Sequence, residues 1–402
     1  MDFNLSDEHR QVQKLARDFA EKEVAPIIKE ADRKQETPDF ILPRLGELGL
    51  LGLCIPVKYG GQGMDYVTLG LACEELDYVD IALRTALSVH VGLNSMGLLQ
   101  WGTEEQKQRF LAPQARGEKY AMFGLTEPGA GSDVAGMDST ARLEGDEYVI
   151  NGEKTWISLA TQAHHVLWFA KTDPEAGNRG ISAFLIETDR PGVTAADIHG
   201  KLGSRAGSTG WVNCQDVHVR AGNRIGEEGE GFKIAMSCLD NGRYTVGAGC
   251  VGAMRAALDA SVKYARERKA FEREIGKFQL VQQKIARMTR DYEIGRLMYL
   301  KVGWMKNQGL RNTRETSLLK WFASEAAFRA ANEAIQVHGA YGYSDEYDVE
   351  RFMRNVRVTT IYEGTSEVHQ LMQAGYALGY RKDGTLRCEL PPYDEQEWQA
   401  EN

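Results

Sequence analysis

The amino-acid sequence predicts a multidomain α+β protein in which a central β-domain is flanked by two helical ones. Apolar residues recur at helical spacing through roughly the first 120 positions. Short β-type runs separated by Gly, Pro, Asn and Asp then crowd into residues 121–235. No proline occurs between Pro191 and Pro391, which leaves room for long uninterrupted helices. A chain of 402 residues also exceeds what one hydrophobic core supports, so two or three domains are expected from length alone.

Taken in order, Val12, Leu15, Ala16, Phe19, Ala20 and Val24 mark a helix face that Pro26 interrupts. "DFILPRLGELGLLGLCIP" reads as a helix running into a turn, and "EELDYVDIALRTALSVHVGLNSMGLLQWG" keeps the helical character. "TEEQKQRFLAPQARG" adds a Thr-capped amphipathic helix, so residues 1–120 form an N-terminal helical domain. "EYVINGEKTWIS" places Asn151-Gly152 between alternating runs, the strongest short-range hairpin signal. With "HVLWFA", "ISAFLIE" and "GWVNCQDVHV" it predicts an antiparallel β-barrel or sandwich over 121–235. Val281, Ile285, Met288, Tyr292 and Tyr299 then share a helix face, and 236–382 reads as a helix bundle. The acidic, Pro-containing run 383–402 is expected to be an extended tail.

The formal net charge of −9 predicts no basic face for nucleic acid, while a few local Arg residues could still make a cleft for an anionic small molecule. The first residues lack the apolar core of a signal peptide, and no apolar run reaches membrane-spanning length. Six cysteines without CxxC spacing read as free thiols in a reducing compartment, so a cytoplasmic location is expected. There is no HExxH, no GxSxG elbow and no Cys/His metal spacing; His164-His165 read as strand or surface residues, and no metal is expected. "GAGCVG" at 247–252 matches a dinucleotide-binding pattern formally, but helix follows it where βαβ units are required. Its small residues suit close helix packing instead.

"TTIYEGTSEVHQ", residues 359–370, sets one carboxylate, Glu363, in an apolar run with no Lys or Arg inside it. Glu363 either sits near a helix start capped by Thr365 or Ser366, or is a base tuned by an apolar pocket. "FGLTEPGAGSD", 123–133, combines Gly129 and Gly131 with the hydroxyls of Thr126 and Ser132 beside freed backbone N–H groups. It lacks GK[ST] and is no P-loop.

Eight stretches in order, "YGGQGMDY", "FGLTEPGAGSDVAG", "NGEKTWIS", "GEEGEGF", "LDNGR", "RKAF", "QVHGAYGY" and "IYEGTSE", resemble the acyl-CoA dehydrogenase family of flavoproteins across residues 1–380. The resemblance implies a helical domain, a β-domain and a C-terminal four-helix bundle assembled as a homotetramer, with FAD, an acyl-CoA thioester substrate and electron transfer flavoprotein as acceptor. It implies that Glu363 removes the α-proton while flavin N5 takes the β-hydride, the enolate being held by aimed donors. Some relatives carry the base on the "LDNGR" helix, where this chain has Gly242. By the same resemblance Phe123, Leu125, Thr126, Gly131 and Ser132 belong to a first flavin loop, and Trp156 and Ser158 to a second, with Ser158 standing where Thr is common. Arg268, Phe271, Gln279, Gln336 and Gly339 are implied to reach the FAD of a neighbouring subunit. Thr365 and Glu367 flank the base, Glu367 in place of a frequent Gln. Asp240 and Arg243 match coenzyme A contacts, with Ser132, Tyr362 and Gly364 at the substrate.

"LRTALSVH" carries Arg84 and Ser88 in an apolar helix and resembles the stretch that holds the distal carboxylate in glutaryl-CoA dehydrogenases. A buried Arg needs a partner, and Glu74 or Asp77 could equally supply it. A short-chain or branched acyl-CoA is the leading reading, glutaryl-CoA the alternative, and an acyl-CoA oxidase or a non-catalytic flavin- or nucleic-acid-binding relative stand further off.

Overall fold

A computed structural model describes residues 4–400. Its first helices are α1 (Asp7–Asp18) and α2 (Ala25–Lys34), joined by a π-helical turn over Phe19–Val24. Pro26 therefore does not end a helix: it lies in the first turn of α2, where its missing N–H has no partner to lose. Then come α3 (Ile41–Glu47), α4 (Tyr66–Val79), α5 (Ile81–Leu87), α6 (Met96–Trp101), α7 (Glu104–Gln106) and α8 (Ala112–Ala115). A second π-helical turn, Ser88–Ser95, joins α5 to α6 and is wholly buried. Asp80 caps α5, its carboxylate accepting from Ala82 N at 2.9 Å.

Strands β1 (Ala121–Gly124), β2 (Thr140–Glu144), β3 (Glu147–Ser158), β4 (His165–Lys171), β5 (Ile181–Glu187), β6 (Val193–Asp197), β7 (Thr209–Arg220) and β8 (Arg224–Ile225) form one sheet ordered β6-β7-β3-β2-β4-β5-β8, with β1 beside β4. Most pairs are antiparallel, but β1 runs parallel to β4, so the sheet is mixed. Asn151-Gly152 is not the hairpin turn. The β2–β3 turn falls at Gly145-Asp146, and β3 runs straight through Asn151 with a register shift against β7. Asn151 instead clamps β7 through Asp216, donating to its carboxylate at 3.0 Å and accepting from its N–H at 2.8 Å. The Asn-Gly pair thus marks a bulge, the other use of a flexible pair in a strand.

Helices α9 (Gly231–Glu267), α10 (Gln279–Asn307) and α11 (Thr313–His338) are long, and α12 (Val349–Val356) and α13 (Ser366–Ala377) close the bundle. "GAGCVG" lies inside α9, as its composition suggested: a Cβ on Gly247 would lie 2.5 Å from Leu319 Cγ, and one on Gly252 2.8 Å from the backbone carbon of Glu74. These glycines let α11 and α4 seat directly on α9. Glu74, fully buried, ties three helices together through Arg255 on α9 and Tyr299 on α10. Beyond α13 the chain folds back to α14 (Glu395–Gln399), whose Trp398 is 2% exposed. Among the described residues no helix is long and apolar enough to cross a membrane.

Candidate active site

Glu363 lies on a turn between α12 and α13, where Thr365 caps α13 by accepting from Val368 N at 3.3 Å. Its φ is 52° and that of Gly364 is 97°. Only the glycine adopts such a conformation without cost; a left-handed glutamate carries about 1–2 kcal/mol of strain. Two buried cations hold the turn. Arg243 on α9 donates through Nε to the Glu363 carbonyl at 2.9 Å, and Lys320 on α11 donates to the Gly364 carbonyl at 2.6 Å. His369 backs Gly364 and shares a 2.9 Å hydrogen bond with Ser317.

Among the described residues the carboxylate has no such partner. Glu363 Oε2 is buried with no hydrogen bond, and burial pushes the carboxyl up to about 7 against the pull of Arg84, Arg243 and Lys320. The sequence suggested a base with no cation nearby. The structure corrects this: cations surround it, but Arg243 and Lys320 spend their donors on backbone carbonyls, so desolvation prevails. Gly242 makes the space, since a Cβ there would lie 2.9 Å from Glu363 Cδ and 2.6 Å from Leu93 Cδ2. Gly242→Ala should therefore displace the carboxylate and lower kcat by about 10²-fold, the usual cost of an ångström-scale misplacement. Single-turnover rates would show it, with the fold checked by circular dichroism.

Leu93 belongs to the buried π-helical turn, which links the base to the β-domain: His90 on the same turn accepts from Ala121 N of β1 at 3.2 Å. A widened helical turn beside a reactive group is a frequent pairing. Arg84, 1% exposed, donates through Nη2 to Tyr362 Oη at 2.6 Å and through Nε to Asp77 at 3.1 Å. Burial pushes the Asp77 carboxyl up to about 7 despite Arg84. Ser88 is occupied as well, its hydroxyl 2.5 Å from that of Thr245.

β1 delivers the glycine loop. Phe123 and Leu125 are buried, Phe123 against Phe169, whereas Gly131 and Ser132 are exposed. Glu127 pins the loop by accepting from Ser139 N at 3.1 Å and pairing with Lys154 at 2.6 Å, while Lys154 also reaches the Leu125 carbonyl. Thr155 N donates to the Thr126 carbonyl at 2.9 Å, so this loop and the Trp156–Ser158 segment lie side by side. Trp156 sits on a bulge with φ of 60° and is 60% exposed. The exposed indole, the hydroxyls of Thr126, Ser132 and Ser158, and the open space beside Gly129 and Gly131 fit a flat heteroaromatic cofactor with a hydrogen-bonding edge.

Arg268, Phe271, Gln279, Gln336 and Gly339 do not join this cluster. Arg268 follows the end of α9, twenty-four residues past Arg243 at Glu267, about 36 Å along the axis. There it lies over Tyr341, and Phe271 is 89% exposed beside Phe278. Gln279 opens α10, Gln336 lies in the last turn of α11 and Gly339, with φ of 61°, caps it, so these form a second, separate surface. Glu367 is exposed in the first turn of α13. Arg243, expected at coenzyme A, also holds the base turn, while Asp240 pairs with it at 3.2 Å and accepts from Thr313 at 2.6 Å. The sequence reading passed over Lys320 entirely. Its signal was a lone cation in the apolar "SLLKWFA" run of a helix.

Family profiles match nearly the whole described chain: acyl-CoA dehydrogenase N-terminal domain over 6–118, middle domain over 122–217 and C-terminal domain over 229–378. The chain is 43% identical over 375 residues to a probable acyl-CoA dehydrogenase, YngJ, of Bacillus subtilis, spanning 93% of this chain and 99% of that protein. The butyryl-CoA dehydrogenase structure from Megasphaera elsdenii matches with a TM-score of 0.92 and 40% identity, over 94% of this chain and all of that one. A glutaryl-coenzyme A dehydrogenase in complex with glutaryl-CoA matches with a TM-score of 0.92 and 39% identity, over 95% and 98%.

Proposed function

The chain belongs to the acyl-CoA dehydrogenase family, FAD-dependent oxidoreductases of CH–CH bonds, and from that premise we propose that it converts a short-chain acyl-CoA to the 2-enoyl-CoA with Glu363 as base. The observation that carries the assignment is the buried, unpartnered Oε2 of Glu363, its carboxyl raised to about 7. Such a carboxylate is a stronger base than one in water and is ionised in about half of molecules at neutral pH. It takes the proton from the carbon next to the thioester, and the electrons of that C–H bond become the new double bond as hydrogen and its electron pair leave the β-carbon. FAD, when bound, supplies the acceptor for that pair, and electron transfer flavoprotein takes the electrons onward.

The chain's own residues do the rest. Arg243 and Lys320 fix the turn so that the carboxylate points at one place. Leu93 and Gly242 keep that place dry and open. Thr126, Ser132, Trp156 and Ser158 are assigned to the flavin, and Tyr362 and Gly364 to the thioester end. The second surface, around Arg268, Phe271, Gln279, Gln336 and Gly339, is assigned to the cofactor of another subunit, because it lies too far along α9 to serve this one. That reading makes the homotetramer part of the site.

A second reading is favoured by one observation: buried Arg84 bonds to Tyr362, the neighbour of the base, with Ser88 one turn away. A distal carboxylate, as in glutaryl-CoA, would suit that guanidinium, with Asp77 giving way by taking a proton near pH 7. Anaerobic mixing of the yellow holoenzyme with butyryl-CoA, isovaleryl-CoA and glutaryl-CoA separates the two. Fast bleaching by a monocarboxylic thioester is the expected result. Bleaching by glutaryl-CoA alone transfers the assignment to the dicarboxylate, and no bleaching with any thioester removes Glu363 as base. Peroxide formed in air at the turnover rate would instead mark an oxidase.

A further inference from the structure

The two halves of the proposed reaction stand on different domains, Glu363 on the C-terminal helical one and the glycine loop on the β-domain. A buried side chain spans the gap between them. His90, fully buried, belongs to the π-helical turn Ser88–Ser95. On one side this turn packs on α9: a Cβ on Gly92 would stand 3.5 Å from Thr245 Cγ2, and Leu93 meets Gly242 beside the Glu363 carboxylate. On the other side His90 Nδ1 accepts from Ala121 N of β1 at 3.2 Å. Leu93 follows His90 closely in the chain, and Thr126 of the glycine loop follows Ala121. The path from base to loop is therefore short, and His90 is its middle link.

The imidazole is held at both nitrogens. Because Nδ1 takes the Ala121 proton, the ring's own proton sits on Nε2, which donates to the Gln114 carbonyl of α8 at 3.0 Å. Burial pushes the imidazole down to about 4, so Nδ1 stays an acceptor wherever the base is ionised. The turn around it is stiff. Asn94 donates to the Val89 carbonyl at 2.8 Å, and the Ser95 hydroxyl lies 3.0 Å from the His90 carbonyl and 2.9 Å from Gln114 Oε1. Side chains thus fill the carbonyls that a widened turn leaves open. Gln114 also meets His165 of β4, so α8, the turn and two strands converge on this point. His90 itself bonds to neither the carboxylate nor the glycine loop.

Resting on the acyl-CoA reading, we infer that His90 is a positioning residue: through Nδ1 it fixes β1, and the glycine loop that follows, against the turn that packs on the base. Proton and hydride leave adjacent carbons on opposite sides of the substrate, so carboxylate and loop must keep one separation throughout the step. An ångström of error there costs about 10²-fold in rate. A histidine that only fills the core is indifferent to which ring nitrogen is bonded. A strut is not, because Nδ1 reaches the β-domain while Nε2 reaches α8 of the N-terminal domain.

Two variants of the full-length holoenzyme separate these roles. Asparagine sets its amide oxygen where Nδ1 stands, and glutamine its amide nitrogen where Nε2 stands, so each keeps one bond and loses the other. With the thioester that bleaches the wild type fastest, His90→Asn should keep nearly wild-type kcat. His90→Gln should lower kcat by about 10²-fold at nearly unchanged KM. Hydrogen exchange reads the same link without turnover: the Ala121 amide should exchange about tenfold faster in His90→Gln and at the wild-type rate in His90→Asn. Urea midpoints should fall alike in both, since each strands one buried backbone group. Equal kcat in the two variants, kept or lost together, overturns the inference, and so does equal exchange at Ala121. A wild-type flavin that no acyl-CoA bleaches removes the acyl-CoA reading, whereas normal wild-type bleaching with equal variants removes the strut alone.

Discussion

Glu363→Gln is expected to abolish turnover, because Glu363 is the proposed base. The amide keeps the shape and the positive-φ turn, because Arg243 and Lys320 bond to the backbone there and not to the side chain. It removes the proton acceptor, and loss of a general base costs about 10⁴-fold at the upper end of the usual range. Rapid anaerobic mixing would record the rate of flavin bleaching, with acyl-CoA binding followed separately by the flavin spectral shift. Binding retained with bleaching lost is the expected pair, and bleaching within tenfold of wild type would sink the assignment. The wild-type pH profile follows from the same group. With the carboxyl at about 7, the rate climbs about tenfold per pH unit below that point and levels above it. Base and stability run in opposite directions here: the folded protein binds a proton on Glu363 that the unfolded chain releases near pH 4.5, so stability from this site falls between those values as pH rises.

The second large effect is on stability, at Arg84→Gln. Removing the guanidinium strands Asp77, which is buried, has Oδ1 already unpartnered and sits against Gly249 of α9. Breaking one side of a buried pair costs about 3 kcal/mol. The sign with pH can be worked out. The Asp77 carboxyl already stands at about 7 with Arg84 present and rises further without it. The folded variant must therefore keep a proton that the unfolded chain has lost, so the deficit is largest above pH 7 and shrinks toward pH 4. Urea midpoints at pH 5 and pH 8 measure it. The double variant Arg84→Gln with Asp77→Asn should recover most of the loss at pH 8, because neither half is then an unpaired charge. Equal deficits at both pH values would refute the pairing argument.

The helix–sheet–helix order was legible because periodicity and turn chemistry are local, and Glu363 stood out as the proposed base because its motif lies among seven others in order. Its environment was not. Nothing within "TTIYEGTSEVHQ" reports that Arg243, 120 residues earlier, holds the Glu363 carbonyl, since that contact exists only when α9 and the turn meet. Asn151-Gly152 misled for a related reason: the pair is suited to a tight turn, but which flexible site becomes the turn was decided by the register of β2 on β3. Pro26 reads as a breaker only until the preceding turn widens and hands it the first turn of a new helix. Ser88 and Arg84 were visible as odd residues in an apolar helix, whereas their actual partners, Thr245, Tyr362 and Asp77, are set by packing.

Gly242 and Glu363 are 121 positions apart in the chain, yet a side chain started at the first would end where the second already stands. One point in space thus has two addresses in the sequence. A lineage could move its base from one address to the other through an intermediate carrying both or neither, while the substrate would meet a carboxylate in the same position throughout. For this fold, then, ancestry of the reaction and ancestry of the residue are separable. A relative with glycine or alanine where this chain has Glu363 is judged inactive only after its residue at the Gly242 position has been read.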